Sequence, residues 1–153
     1  MTLDEMNLDA ETRAIAAALL VVCPFTVFTS GRRDVVDQVH AMAENTAKSR
    51  EWIAQTYLPS LARTACLQWL RANPGVKDVH VIAAGLYAAL RGIPDAELGK
   101  LSKHLSGRAF DVQPIDGTAG MKICAFLRAQ AAKTGGKFLE REGNLQIWHF
   151  QLP

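Results

Sequence analysis

The sequence predicts an α+β protein, with a helical N-terminal two-thirds and a small antiparallel sheet built mainly from the C-terminal third. Two observations predict it. Up to about residue 103, apolar residues recur at three- and four-residue spacing between Pro, Gly and capping residues. From Arg108 onward, short segments of alternating character appear, with one helical stretch among them. A length of 153 residues suits a single domain, 1–153, large enough to bury a core.

Asp9 or Thr12 can cap a first helix running to about Val22, which Pro24 stops. "FTVFTS" at 25–30 alternates β-branched and aromatic residues and reads as a strand. "GRRDVVDQVHAMAENTAKSREWIAQTY" follows with Val35, Val39, Met42, Trp52, Ile53 and Tyr57 at helical spacing. Pro59 and Ser60 open another helix, "LARTACLQWLRA", closed by Asn73, Pro74 and Gly75. "VHVIAAGLYAALRG" is helical because its leucines and alanines outweigh a β-branched start. "IPDAELGKLSKH" gives a short capped helix and a loop. "RAFDVQP" is a strand, and "GTAGMKICAFLRAQAAKTGG" is a helix that Gly135 stops. "KFLERE" and "LQIWHFQ" form a hairpin on the two-residue turn Gly143-Asn144.

Composition narrows the function classes. Apolar residues make up 49% and charged residues 21%, the balance of a globular domain. A net charge of +2, with Arg32-Arg33 the only adjacent basic pair, argues against a nucleic-acid partner. Cys23, Cys66 and Cys124 lie roughly 40 to 60 residues apart, too far for CxxC chemistry, and read as free buried thiols. That fits synthesis in the reducing cytoplasm. The apolar run "AIAAALLVVCPF" is about a dozen residues, short of a membrane span, and follows acidic residues instead of a basic leader. No stable membrane insertion and no signal peptide are expected.

The stretch "KHLSGRAFDV" carries His104 and Asp111 seven positions apart around Gly107. Zinc accepts imidazole nitrogen and carboxylate oxygen, and a catalytic zinc keeps three protein ligands and an open position. Gly107 frees the backbone to turn, Ala109 leaves room, and His149, in the last apolar strand, can supply the third ligand. A plainer reading stands beside this one. In it His104 caps a loop, Asp111 pairs with Arg108, and His149 is a satisfied core histidine. His40 and His80 lie in helical contexts and read as structural or surface residues; Trp52, Trp69 and Tyr57 read as core.

"SKHLSGRAFD" resembles the S-x-H-x-x-G-x-A-x-D signature of the M15 zinc peptidases, at Ser102, His104, Gly107, Ala109 and Asp111. That group includes D-Ala-D-Ala carboxypeptidases and phage L-alanyl-D-glutamate endopeptidases. "WHF" at 148–150 is similar to the family's C-terminal W-H segment, and "TSGRRDVVDQ" to its S-G-x-R-x-x-x-x-Q stretch, at Ser30, Gly31, Arg33 and Gln38. The resemblance implies a hedgehog/DD-peptidase-like fold and a Zn2+ held by His104, Asp111 and His149. It also implies hydrolysis of peptidoglycan peptides. Arg33, or its neighbour Arg32, would hold a substrate carboxylate or the developing oxyanion. Ser30, Gln38, Ser102 and Trp148 would line the substrate, although Trp148 could equally pack under the sheet. Residues 40–100 have no counterpart in the resemblance and are a candidate helical insertion.

One position departs from the pattern. The family places an acid three residues before its last histidine to take the proton of water; here Gln146 stands in that slot, and an amide has no useful basicity. With Gly143-Asn144 as the turn, Glu142 would face Leu145, Glu140 would face Ile147 and Phe138 would face His149. Glu140 would then be the diagonal neighbour of His149, about 7 Å away, and the first candidate for a substitute base, with Glu142 second. The leading expectation is a zinc peptidase cutting peptidoglycan stem or cross-link peptides, a phage or prophage endolysin released by a holin, or a virion component. The alternative is a non-catalytic relative that retains metal and serves as a cell-wall-binding or virion structural module. A third reading has no metal, the motif being a fold-stabilising turn.

Overall fold

The computed structural model describes residues 1–142 and 145–153. The expected Gly143-Asn144 turn lies outside the described residues. Seven helices and a four-stranded antiparallel sheet make up the described chain, which agrees with the α+β expectation. Two compact units result: residues 1–32 with 106–153, and residues 33–105. No helix among the described residues is long and apolar enough to cross a membrane.

The first unit holds α1 (Ala10–Val22), β1 (Phe28–Ser30), β2 (Ala109–Val112), α7 (Gly117–Thr134), β3 (Lys137–Leu139) and β4 (Trp148–Gln151). Asp9 caps α1, its carboxylate accepting from the Thr12 backbone N–H, so Thr12 sits inside the first turn. Sheet order is β1-β2-β4-β3. The first strand is shorter than its alternating sequence predicts, because Phe25 and Val27 stay exposed. Gly135 caps α7 in the left-handed conformation.

Side-chain alternation divides this sheet cleanly. Phe110 and Val112 of β2, with Trp148 and Phe150 of β4, join Leu19, Ile123 and Leu127 in one buried core. Phe110 stacks on Phe150 at 5.2 Å and meets Phe28 edge-on at 5.5 Å. Each such ring contributes several kcal/mol by leaving water. The opposite face carries the residues between, Asp111 and His149.

The second unit is helical: α2 (Val35–Lys48), α3 (Trp52–Thr56), α4 (Leu61–Ala72), α5 (Val79–Leu90) and α6 (Asp95–Leu101). The stretch with helical spacing at 31–57 forms two helices, α2 and α3, separated at Ser49-Arg50-Glu51. Arg50 lies in this interruption. Its guanidinium donates to the carbonyls of Leu70, Asn73 and Val76 at 2.5–3.0 Å, and so satisfies the open C-terminal end of α4. Trp52 is buried and packs edge-on against Tyr57 at 5.3 Å, whereas Tyr57 and Trp69, also expected in the core, are only half-buried. His40 and His80 also meet, ring to ring at 6.3 Å, on the exposed faces of α2 and α5.

Phe110 is fully buried between two other aromatic rings. Phe110→Ala should lower the unfolding free energy by about 3–5 kcal/mol in a denaturant titration.

Candidate metal centre

The site is assembled by a short turn and two paired strands. Helix α6 ends at Leu101, and the Ser102 hydroxyl accepts from the His104 N–H at 3.3 Å. The turn closes with Leu105 N–H donating to Ser102 O at 3.2 Å. Gly107 then adopts φ +74°, a left-handed conformation that a side chain would strain. Its carbonyl accepts from the Asp9 N–H at 3.1 Å, and the chain enters β2 two residues later. The glycine expected to redirect the backbone between the two motif ligands does so.

In the sheet, Asp111 stands directly opposite His149 on β4 and opposite Ser30 on β1. Gly31 follows immediately, where an added Cβ would lie 2.4 Å from the Met6 carbonyl oxygen. Only a glycine allows that crossing, which the Arg32 N–H completes by donating to Met6 O at 2.8 Å.

His104, Asp111 and His149 are 2%, 5% and 3% exposed. One ligating atom from each lies within 4.8 Å of the others, so this buried group could hold a metal ion. Two neutral imidazoles and a carboxylate form a donor set suited to zinc and to other borderline divalent ions. Burying three such polar groups without a shared cation or proton would carry a heavy desolvation cost. The plainer pairing of Asp111 with Arg108 does not occur. Arg108 donates to Asp9 at 3.0 Å, to Glu11 at 3.4 Å and to the Pro153 carbonyl at 3.1 Å.

Both nitrogens of the His149 ring are engaged. Nδ1 lies 2.8 Å from Asp111 Oδ1, and Nε2 lies 3.0 Å from Gln151 Oε1. Glu142 Oε1 is 3.9 Å from Nδ1. Burial alone would push the imidazole pKa down. The Asp111 hydrogen bond, the negative charges of Asp111 and Glu142 and the Gln151 bond outweigh it, raising the pKa to about 9. Each ring nitrogen thus faces an acceptor, Asp111 Oδ1 or Gln151 Oε1, and the raised pKa favours the protonated ring.

The register near the hairpin differs from expectation. Glu142 bridges Leu145 as predicted, but farther along Leu139 faces His149 and Phe138 faces Phe150. Two residues on the β3 side (Glu140, Arg141) span the same interval as three on the β4 side (Gln146, Ile147, Trp148). This extra residue is a bulge-like irregularity that reverses the face of everything beyond it. Glu140 consequently turns toward α7 and pairs with Arg128, away from the face that carries His149. Glu142, the second candidate, is the carboxylate beside the histidine, with a side chain only 15% exposed. Gln146 lies outside β4 and is exposed.

The remaining predicted residues fall into two groups. Ser30 and Ser102 are buried, the first beside Asp111 in the sheet and the second holding the His104 turn. Trp148 packs in the core beneath the sheet and does not wall a substrate cleft, because its neighbour His149 occupies the other face. Arg33, in the helical unit, is half-buried and reaches Gln38 Oε1 through Nη1 at 3.5 Å; Arg32, the last residue of the first unit's N-terminal segment, is exposed. Gln38 is buried and donates to the Tyr57 hydroxyl at 2.8 Å. It is placed to steady Arg33 more than to meet a ligand itself. Gln151 was absent from the expected site, although its position two residues after His149 on one strand signals a shared face.

Comparison with known proteins gives no match to a family model, to a curated protein or to a solved structure. The likeness to M15 peptidases rests on the motif residues themselves.

A pH dependence follows from His149. Below its ordinary value near 6.5 the ring is protonated whether folded or not, and its stabilisation is complete. As pH rises toward about 9, the unfolded chain loses that proton while the folded chain keeps it, so stability declines. Urea titrations in the presence of chelator should show a falling unfolding free energy across that window. His149→Asn should flatten the slope.

Proposed function

We propose that the chain is a zinc-dependent peptidase of the M15 type that hydrolyses peptidoglycan stem or cross-link peptides. Its setting would be a phage or prophage endolysin, or a virion-associated enzyme. The observation that carries this reading is the convergence of His104, Asp111 and His149, the motif positions, into one buried ligand set. Those three side chains would hold the ion. When bound, zinc supplies Lewis acidity toward the scissile carbonyl and a more acidic water.

The chain's own residues account for the other parts of the chemistry. Glu142, partly buried and next to His149, takes the proton of the attacking water at Oε1 and passes it to the departing amine. Arg33 offers a planar, permanently charged fork to a substrate carboxylate or an oxyanion, with Gln38 limiting its freedom. Ser102 serves by holding the turn that carries His104, and Ser30 lies opposite Asp111 on β1.

A second reading is favoured by Gln146, an exposed amide in the slot where the family keeps its acid. On that reading the chain retains metal without turnover, and binds cell-wall peptide or a virion partner. Incubation with purified peptidoglycan, with and without chelator, separates the two. The peptidase reading expects released peptide fragments that chelator abolishes and zinc restores; bound metal without any fragments would establish the non-catalytic module.

The base assignment has its own test. Glu142→Gln should lower kcat by roughly 10²–10⁴-fold, the range for losing a general base, while zinc content is unchanged. Glu140→Gln should leave the rate near that of the parent protein, because its carboxylate is committed to Arg128. The reverse pattern would return the role to Glu140.

A further inference from the structure

The strand that carries His149 also carries Gln151, and residues two apart on a strand share a face. The two side chains meet there, Gln151 Oε1 lying 3.0 Å from His149 Nε2. With the amide oxygen facing the ring, as here, the contact is completed by Nε2–H donating and Oε1 accepting. The other ring nitrogen, Nδ1, is the one that faces the ligand set, 2.8 Å from Asp111 Oδ1. A histidine can ligate a metal only through a nitrogen that lacks a proton.

From these contacts we infer that Gln151 is a positioning residue, holding His149 in the tautomer that presents Nδ1 to the metal. The inference rests on the metal-site reading above and extends it to a residue outside the motif. Neutral imidazole places its single N–H on either nitrogen, and in water the two forms are close in energy. The Gln151 carbonyl selects one. It also fixes the ring's rotation about its bonds, so that Nδ1 already faces Asp111. Such outer partners commonly govern metal affinity by orienting the ligand and raising its basicity.

Gln151 itself is held in place. Its backbone is paired on both sides, opposite Ala109 on β2 and Lys137 on β3, so the side chain starts from a fixed point. It is only half-buried, and replacements there should not empty the core.

The test uses the full chain and zinc alone. Zinc affinity is measured by competition with a chromophoric chelator, and the protonation of each histidine nitrogen is read from two-bond ¹⁵N–¹H correlation spectra of the zinc-loaded protein. The parent protein should bind one zinc, with His149 protonated at Nε2. Gln151→Leu should weaken binding by roughly 10–100-fold. Gln151→Asn, one methylene too short to reach the ring, should do the same while keeping an amide. Gln151→Glu preserves an accepting oxygen and should bind within a few-fold of the parent. Thermal melts check that each variant folds; Gln151→Asn and Gln151→Glu still decide the matter if Gln151→Leu does not. Parental zinc affinity in Gln151→Leu or Gln151→Asn would overturn the inference, as would a His149 that carries its proton on Nδ1 in the zinc-loaded parent. If the parent binds no zinc at all, the metal-site reading itself falls, a result distinct from either.

Discussion

The pairing of β2 with β4 ties the core and the candidate metal centre to one register. Phe110 opposite Phe150 and Asp111 opposite His149 are successive rungs of the same ladder. A slip of one residue would send the phenyl rings to the polar face and the ligands into the apolar core. The burial energy of the aromatic rungs therefore enforces the alignment of the polar ones. Gly107 and Gly31 support the same arrangement, since each lets the chain turn or pass close to the N-terminal segment where a side chain would meet its backbone.

Around this alignment the electrostatics favour positive charge. Asp111 and Glu142 both act on the His149 ring, and Asp111 is almost wholly sequestered from solvent. Without metal, the proton on His149 supplies the positive charge that the buried carboxylate needs. A divalent ion would take over that role by displacing the Nδ1 proton, while the Nε2–H and its contact with Gln151 stay intact. The same contacts around His149 would thus serve either cation, a proton or a metal ion.

How much of this was legible in the sequence depends on the distance over which each feature is determined. His104, Gly107 and Asp111 lie within eight consecutive residues, and their geometry is set by a local turn that composition announces. His149 was legible through strand alternation, and the same alternation, applied one residue earlier, accounts for Trp148 in the core. Alternation failed between Leu145 and His149 because it assumes a regular ladder. One additional residue there exchanged the surroundings of Glu140 and left Glu142 beside the imidazole. The helix break at Arg50 was illegible for a different reason. Arg50 there engages carbonyl partners twenty or more residues away, which no local periodicity records.

The division of the chain has a consequence for how the sheet comes together. Strands β1 and β2 are neighbours in space but separated along the polypeptide by all of residues 33–105. Left flexible, that excursion would tax the search for their pairing with the entropy of closing a long loop. The helical unit removes much of this burden by bonding its own two ends, Arg33 N–H to His104 O at 3.1 Å. Once those helices have consolidated, the strands on either side emerge as the stems of a pinched loop. The chain length that must be closed to pair β1 with β2 is correspondingly shorter with the helical unit folded than with it extended.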